Sequence, residues 1–350
     1  MKESFVAVIA LVLIALIGAQ IPGMQYLFGV VLPYLAFVIF LGGFVYRVMQ
    51  WGKSPVPYRI PTTSGQGKSV HEGEVTFQNK LDCPYTASEV VGRMFLEIVF
   101  FRSLFKNTKA EMISGPRLTH ESSKWLWLFS ITFHYCFLVT VLRHFRLFTN
   151  PLPFFLKPLE FFDGILQVGA PTMYVSNALF VGALLFLFLR RVLNRHVRYI
   201  SFSADYFPLF LILGIAITGI LMRYFIRVDV VTIKKLTVGL ATLQPAITGE
   251  IGSIFFIHVF LVSVLLVYFP FSKLMHLGGI FLSPTRNLPN NSRAVRHVNP
   301  WNDKGIKAHS YAAYEDEFRE FMVDAGLPVE KELSPPPPEA EAEETPAEES

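Results

Sequence analysis

Two long apolar stretches of this chain each carry a pair of histidines: His134 and His144 in one, His258 and His276 in the other. An ionisable side chain inside a bilayer costs at least ~2–3 kcal/mol, so such residues point first to function. A neutral imidazole keeps a proton on one ring nitrogen and offers the lone pair of the other to a metal. Two histidines on each of two helices is the arrangement that holds b-type haem, one imidazole on either side of the iron. Each histidine taken singly also has a plainer reading, an interhelical hydrogen bond with no metal involved. His276, three residues from Lys273, fits an interfacial position as well. His71, His120, His196, His297 and His309 fall in polar segments and read as solvated.

The elements that position these residues follow from composition. Of 350 residues, 52% are hydrophobic, 15% aromatic and only 17% charged, against roughly a quarter charged in soluble domains. Mean hydropathy is +0.43. A helix crossing hydrocarbon needs about 20 mostly apolar residues. Six stretches qualify: Phe5–Ile21, Gln25–Val48, Trp125–Phe148, Met173–Leu189, Tyr206–Ile226 and Ile251–Leu274. The fold class expected is an all-α integral membrane protein, a six-helix antiparallel bundle. Lys2 ahead of an apolar run imitates a signal peptide. No A-x-A-like site follows, and Pro22-Gly23 leads into a second span, so the first span is read as retained.

The net charge of +4 matters less than where the charges lie, and nothing in it suggests a nucleic-acid partner. Lys53, Arg59, Lys68, Lys80, Arg93, Arg102, Lys106, Lys109 and Arg117 lie between the second and third spans. Arg190, Arg191, Arg195 and Arg198 follow the fourth, and Arg286, Arg293, Arg296, Lys304 and Lys307 follow the sixth. Six spans put all three groups on one side, which the positive-inside rule makes cytoplasmic. Both termini are then cytoplasmic and the protein belongs in the cytoplasmic (inner) membrane, among lipid.

This orientation sets the histidines by depth. The third span runs outward and the sixth inward, so His134 pairs with His276 near the cytoplasm and His144 with His258 near the outside. Separations of ten and eighteen residues correspond to about 15 and 27 Å along ideal helices, placing two irons about 20 Å apart. Eighteen residues is five whole turns, so His258 and His276 should face one way, whereas ten leaves the first pair about 80° apart. Pro270 threatens the sixth helix. Metal transport, the rival reading, needs ligands at one depth and intramembrane carboxylates, and the sixth span has only Glu250 at its edge.

Haem propionates need cations at the membrane faces. Arg143, Arg146 and Arg223 suit the outer haem; Lys273, Lys124 and Arg198 suit the inner one. Each taken singly reads first as a positional anchor at a helix end. Gly182, Gly214 and Gly219 would admit a close helix or a flat macrocycle. Cys83 and Cys136 form no C-x-x-C or C-x-x-C-H motif, so no iron–sulfur cluster, haem c or structural disulfide is expected from them.

The remaining segments divide naturally. Residues 1–48 hold two spans, 49–124 a long cytoplasmic loop, 125–276 the four-helix histidine-bearing core, 277–333 a cytoplasmic segment and 334–350 a Pro-rich acidic tail expected to be disordered. Within the loop, Thr86–Phe105 has Val90, Val91, Met94, Phe95, Ile98, Val99 and Phe101 at near-helical spacing with charges between. That is an amphipathic helix for the headgroup region, for a partner, or for capping the bundle. The 277–333 segment is too short for its own core and is read as docking another subunit.

At these residues the chain resembles the gamma-subunit cytochromes b of respiratory nitrate reductases. It resembles more closely the DsrM (HmeC) family of the sulfite-reduction-associated DsrMKJOP electron-transfer complexes. The carrying segments are LDCPYTASEVVGRMFLEIVFFRSLF (Leu81–Phe105), FHYCFLVTVLRHFRLF (Phe133–Phe148) and YFPFSKLMHLGGIFLSPTRNLPNN (Tyr268–Asn291). The likeness runs to about Leu333, and the extra N-terminal span agrees with the second family. It implies two haems b with His134, His276, His144 and His258 as axial ligands. It also implies DsrK-like iron–sulfur and other complex subunits as partners, with an acceptor akin to heterodisulfide reductase. A quinone, an apolar two-electron carrier free in the bilayer, is the expected membrane partner. Menaquinol is expected near the outer haem at Arg143, Arg146 and Lys157, the nearest counterpart of the nitrate family's lysine. A haem-free membrane anchor and a transporter stay open as alternatives.

Overall fold

The computed structural model describes residues 1–21, 23–54, 77–113, 117–166, 171–291, 295 and 309–331. His71 and His297, Arg59, Lys68, Arg293, Arg296, Lys304 and Lys307, the side chains of Lys109, Arg117 and His120, and the tail from 332 lie outside this description. Among the described residues six helices are long and apolar enough to cross a membrane: Lys2–Gln20, Met24–Lys53, Lys124–Phe148, Val175–Leu193, Ser203–Phe225 and Ser253–Phe271. These agree with the six expected spans, because hydrocarbon selects for composition and length before any packing detail. The chain is a multi-pass, all-α membrane protein.

The sixth span packs on the first, second and fifth, and the third packs on the fourth. Phe256, Leu261, Leu211, Leu236 and Ala15 are fully enclosed where these helices converge. A smaller cluster, Cys136, Phe180, Leu184 and Ile212, joins the third, fourth and fifth spans. Among the described residues no comparably close packing joins the third span to the sixth. The two histidine-bearing helices therefore stand apart, with their imidazoles across the gap.

The sixth span does not continue as one helix to His276. Its α-helix ends at Tyr268, a 3₁₀ turn covers Phe269–Phe271, and Ser272 is extended (φ −123°, ψ 177°). A second 3₁₀ turn, Lys273–Met275, then leads into a short helix, His276–Gly279. Pro270 has no N–H to donate, and its ring collides with the carbonyl four residues back. The expectation that five whole turns orient His258 and His276 alike, 27 Å apart on one axis, is corrected on this ground. Gly43 of the second span lets Pro270 press in: a Cβ there would meet the proline ring at 2.7 Å.

The loop helix runs Ala87–Phe100, opened by a capping box in which Thr86 Oγ1 accepts from Glu89 N and the Glu89 carboxylate accepts from Thr86 N. Phe101 takes a left-handed turn (φ 51°) into a second short helix, Arg102–Lys106. Tyr135 and Trp127 of the third span donate to the carbonyls of Val99 and Phe100, fixing this helix end beside the bundle. Its buried stripe is Val90, Arg93 and Glu97, while Val91 is 69% and Phe95 56% exposed. Arg93 and Glu97 thus turn inward beside Val90; Met94, Ile98 and Val99 are half-buried, and Val91 and Phe95 face outward.

Two antiparallel strand pairs and two connecting helices are absent from the sequence reading. Thr108–Ile113 and Arg117–Ser122 form an antiparallel hairpin with Thr108 opposite Ser122, and Gly164–Leu166 pairs with Met173–Tyr174. Helices Leu156–Asp163 and Val230–Ala241 occupy the connections after the third and fifth spans. The second of these is tied to the bundle where Thr237 donates to Leu147 O and Tyr34 to Leu240 O. The described residues 309–331 belong to a compact unit of their own. In it, helix Tyr311–Asp324 is capped by Ser310, and Glu315, 1% exposed, accepts from the backbone of Glu330 and Lys331.

Candidate cofactor site

The imidazoles of His134 and His276 have ring centres 5.8 Å apart with planes at 81°. Those of His144 and His258 are 6.3 Å apart with planes at 6°. The depth argument thus paired the residues as the fold does. Each Nδ1 is engaged. His134 Nδ1 lies 2.7 Å from Ser130 O, His144 Nδ1 2.7 Å from Thr140 O, and His276 Nδ1 2.9 Å from Lys273 O. A carbonyl only accepts, so these three Nδ1 atoms carry the proton and Nε2 holds the lone pair. His258 Nδ1 lies 2.9 Å from Thr218 Oγ1 on the fifth span. That hydroxyl is within donating distance of the carbonyls of Gly214 and Ile215, so it too serves the imidazole as acceptor.

A metal bound by one imidazole nitrogen on each side at about 2.0–2.1 Å sets the ring centres roughly 6 Å apart, and both separations match. Among the described residues no third His, Cys, Asp or Glu joins either pair. Two donors leave a metal's remaining positions to a group that brings its own, which suits a macrocycle with axial protein ligands. The gap between the third and sixth spans is the cradle such a flat group requires. Gly219 faces His258, where a Cβ would sit 3.4 Å from Cε1. Gly214 lies against Leu261, and Gly182 has open space beside it. Phe101 meets the His134 ring edge-on at 5.1 Å. Cys83 and Cys136 are both buried, and no disulfide joins them.

The cations singled out in the sequence are not gathered into one group. Arg143 is 8% exposed, its Nη1 2.9 Å from Asp163 Oδ2 and its Nη2 2.7 Å from Asn177 Oδ1. Its guanidinium carbon lies 3.9 Å from the Tyr174 ring centre, and that of Arg223 lies 4.3 Å from the same ring. Arg223 also donates to Thr172 O. Its position follows from a π-helical last turn, Leu221–Phe225, which displaces Arg223 and Tyr224 from the helical register. Asp163 accepts from Ser176 N and Oγ, and Tyr224 O–H stands within reach of Asn177 and Thr172. Two cations and one carboxylate thus share a buried polar cluster. Arg146 instead pairs with Glu160 at 2.8 Å, and Lys157, on the same short helix as Glu160, is exposed.

At the other end Lys273 Nζ lies 2.7 Å from Asp205 Oδ1, Arg198 is exposed on the short helix Arg195–Tyr199, and Lys124 Nζ lies over the Phe105 ring. The sequence reading missed Thr218, Asp163, Tyr174, Asn177, Tyr224 and Asp205. Asp163 and Asp205 carried a weak signal as acids flanking apolar runs, whereas Thr218 in a uniformly apolar span carried none. Two open grooves of about 480 Å³ flank the bundle. One, lined by Leu32, Leu35, Phe207, Phe260 and Phe271 among others, is almost wholly apolar and offers little to orient a quinone carbonyl. The second adjoins Asn150, Lys234, Lys235, Thr242 and Gln244 at the end of the molecule holding His144.

Residues 105–297 match the nitrate reductase gamma subunit family. The chain is 45% identical over 284 residues to the Hdr-like menaquinol oxidoreductase cytochrome b-like subunit of Archaeoglobus fulgidus, covering 80% of this chain and 85% of that one. It is 41% identical over 274 residues to the subunit of the same description in Archaeoglobus profundus, covering 77% and 81%.

Proposed function

The chain belongs to the nitrate reductase gamma subunit family, and from that premise we propose that it is the membrane diheme cytochrome b of a menaquinol-linked electron-transfer complex. The observation that carries this reading is the pair of two-histidine sets, each with its Nδ1 atoms engaged and its ring centres 5.8 or 6.3 Å apart. Haem b, when bound, supplies a one-electron carrier at each pair. The protein's own work is orientation. Three backbone carbonyls and the Thr218 hydroxyl hold the imidazoles in one tautomer and raise the basicity of Nε2.

Menaquinol is assigned to the outer face beside His144, where Arg143, Arg146 and Lys157 and the acids Asp163 and Glu160 surround the ends of the third and fourth spans. Arg223 there is assigned to a propionate of the outer haem; at the inner face Lys273 is taken up by Asp205 and Arg198 is exposed. The positive-inside distribution supports cytoplasmic termini in the cytoplasmic membrane. Transfer of an electron inward then costs about 2.3 kcal/mol per 100 mV of membrane potential, so the acceptor must be correspondingly oxidising. The similarity to Hdr-like relatives supports a DsrM-type role: electrons exchanged with a cytoplasmic, DsrK-like iron–sulfur subunit docked on the long loop and the 277–333 segment, in dissimilatory sulfur metabolism.

The test is a reduced-minus-oxidised visible spectrum of the purified protein, with haem quantified as the pyridine haemochrome. Two haems b per chain are expected. A folded chain with none would refute the cytochrome reading in favour of a haem-free anchor.

A further inference from the structure

The helix Ala87–Phe100 buries a charged face, and a charged face turned inward needs a counter-charge. Glu97 is 5% exposed and already committed, accepting from the backbone N and the hydroxyl of Ser103. Arg93 is 9% exposed, and its Nε is buried without a partner. Among the described residues its guanidinium makes no hydrogen bond or ion pair. Arg286, on the short helix Pro284–Asn287 that packs against the Arg93 helix, is half-buried and likewise has no ion-pair partner among the described residues. Asn290 N donates to Pro84 O at 2.5 Å, locking the two segments together. Asp82, the other acid nearby, is spent on Arg102 and Lys106 at 2.7 Å each. Burial lowers the Arg93 pKa from its usual value, and the Arg286 charge adds to that, against the opposing influence of Glu97 and Asp82.

Two guanidiniums from segments almost 200 residues apart therefore converge beside Glu97 and Asp82 without either making an ion pair among the described residues. They do so at the His134/His276 end: the Arg93 helix ends in Phe101, which touches His134, and Arg286 follows ten residues after His276. Planar guanidiniums match carboxylates, and a pair of them matches a group bearing two. We propose that Arg93 and Arg286 seat the carboxylates of the prosthetic group held between His134 and His276. This rests on the diheme reading above and adds to it residues that no other feature of the chain explains.

The experiment uses the full-length protein carrying R93Q, R286Q or R93K, with haem content and the reduction midpoint of each haem read by potentiometric titration of the visible spectrum. Removing either charge is expected to shift the reduction equilibrium of one haem about ten-fold toward the oxidised form, equivalent to about 59 mV for one electron. The other haem should be unmoved, and R93K should restore the native value. Unchanged potentials with both haems retained, or equal shifts in both, would overturn the proposal. So would loss of co-purifying anionic lipid with no change in potential, which would put a phosphate in the seat. If R93Q fails to accumulate, R286Q decides, since Arg286 is only half-buried. Native protein without haem would instead break the cytochrome reading, so the two failures are distinct.

Discussion

Thr218→Val is the most discriminating substitution the bundle offers. Three of the four imidazoles are held by carbonyls of their own segment, Ser130, Thr140 and Lys273, which no side-chain change removes. His258 alone is held by a side chain from another span, Thr218 Oγ1 at 2.9 Å. Valine keeps the shape and deletes the acceptor. In the ligated state Nδ1 must carry the proton, so the buried N–H loses its hydroxyl acceptor and keeps only the Ile215 carbonyl, at a cost of about 1–2 kcal/mol. Without the ligand the imidazole can turn or change tautomer, so most of that cost falls on the bound state. Haem affinity at the His144/His258 pair should then drop about 10–100-fold, the range seen for outer-shell ligand partners. The assay is stepwise haem loss under competition with an apo-haem acceptor, followed by difference spectroscopy. T218S, which keeps the hydroxyl, should behave as native. If T218V released neither haem faster than T218S, the orienting role of this contact would be refuted.

Alanine at His144 or His258 should leave one haem per chain, and alanine at His134 or His276 should leave the other, so the two classes should retain spectrally different haems. Ring planes at 81° in one pair and 6° in the other should give two distinct low-spin ferric signals by electron paramagnetic resonance, and each histidine class should abolish one. Asp205→Ala removes the partner of Lys273 and the cap of Phe202 N; because Lys273 is largely exposed, a loss of about 1 kcal/mol is expected, read as a lowered melting temperature in detergent. Desolvation raises the Asp82 carboxyl, but hydrogen bonds from Arg102 and Lys106 outweigh it and hold its pKa below the usual carboxylate range. A depressed native pKa means this contribution, about 1 kcal/mol or less for a partly exposed group, is present above about pH 4 and lost as pH falls further. Amide exchange in Phe77–Lys106 should accelerate below that point, and in Asp82→Asn it should no longer depend on pH there.

The histidine pairing was legible because helix rise converts sequence separation into depth, and depth survives most errors of rotation. The orientation of the rings was not. It depends on the break after Tyr268, on a hydroxyl from a different span and on the gap between the third and sixth helices. Arg143 and Arg223 read as two anchors at separate helix ends until the π-turn at Leu221–Phe225 brings both onto Tyr174. The Ala87–Phe100 helix makes the same point in reverse. Its periodicity announced an apolar face and a charged one, but periodicity is silent on which face meets protein, and here Arg93 and Glu97 turn inward.

The sequence by itself determined six spans, because a bilayer imposes composition and length on each helix independently of its neighbours. It also determined which imidazoles share a depth, because antiparallel helices with a fixed rise leave little freedom there. Only the tertiary structure decided what each polar side chain faces. That outcome rests on contacts between segments far apart in the chain, and within apolar runs no local pattern encodes them.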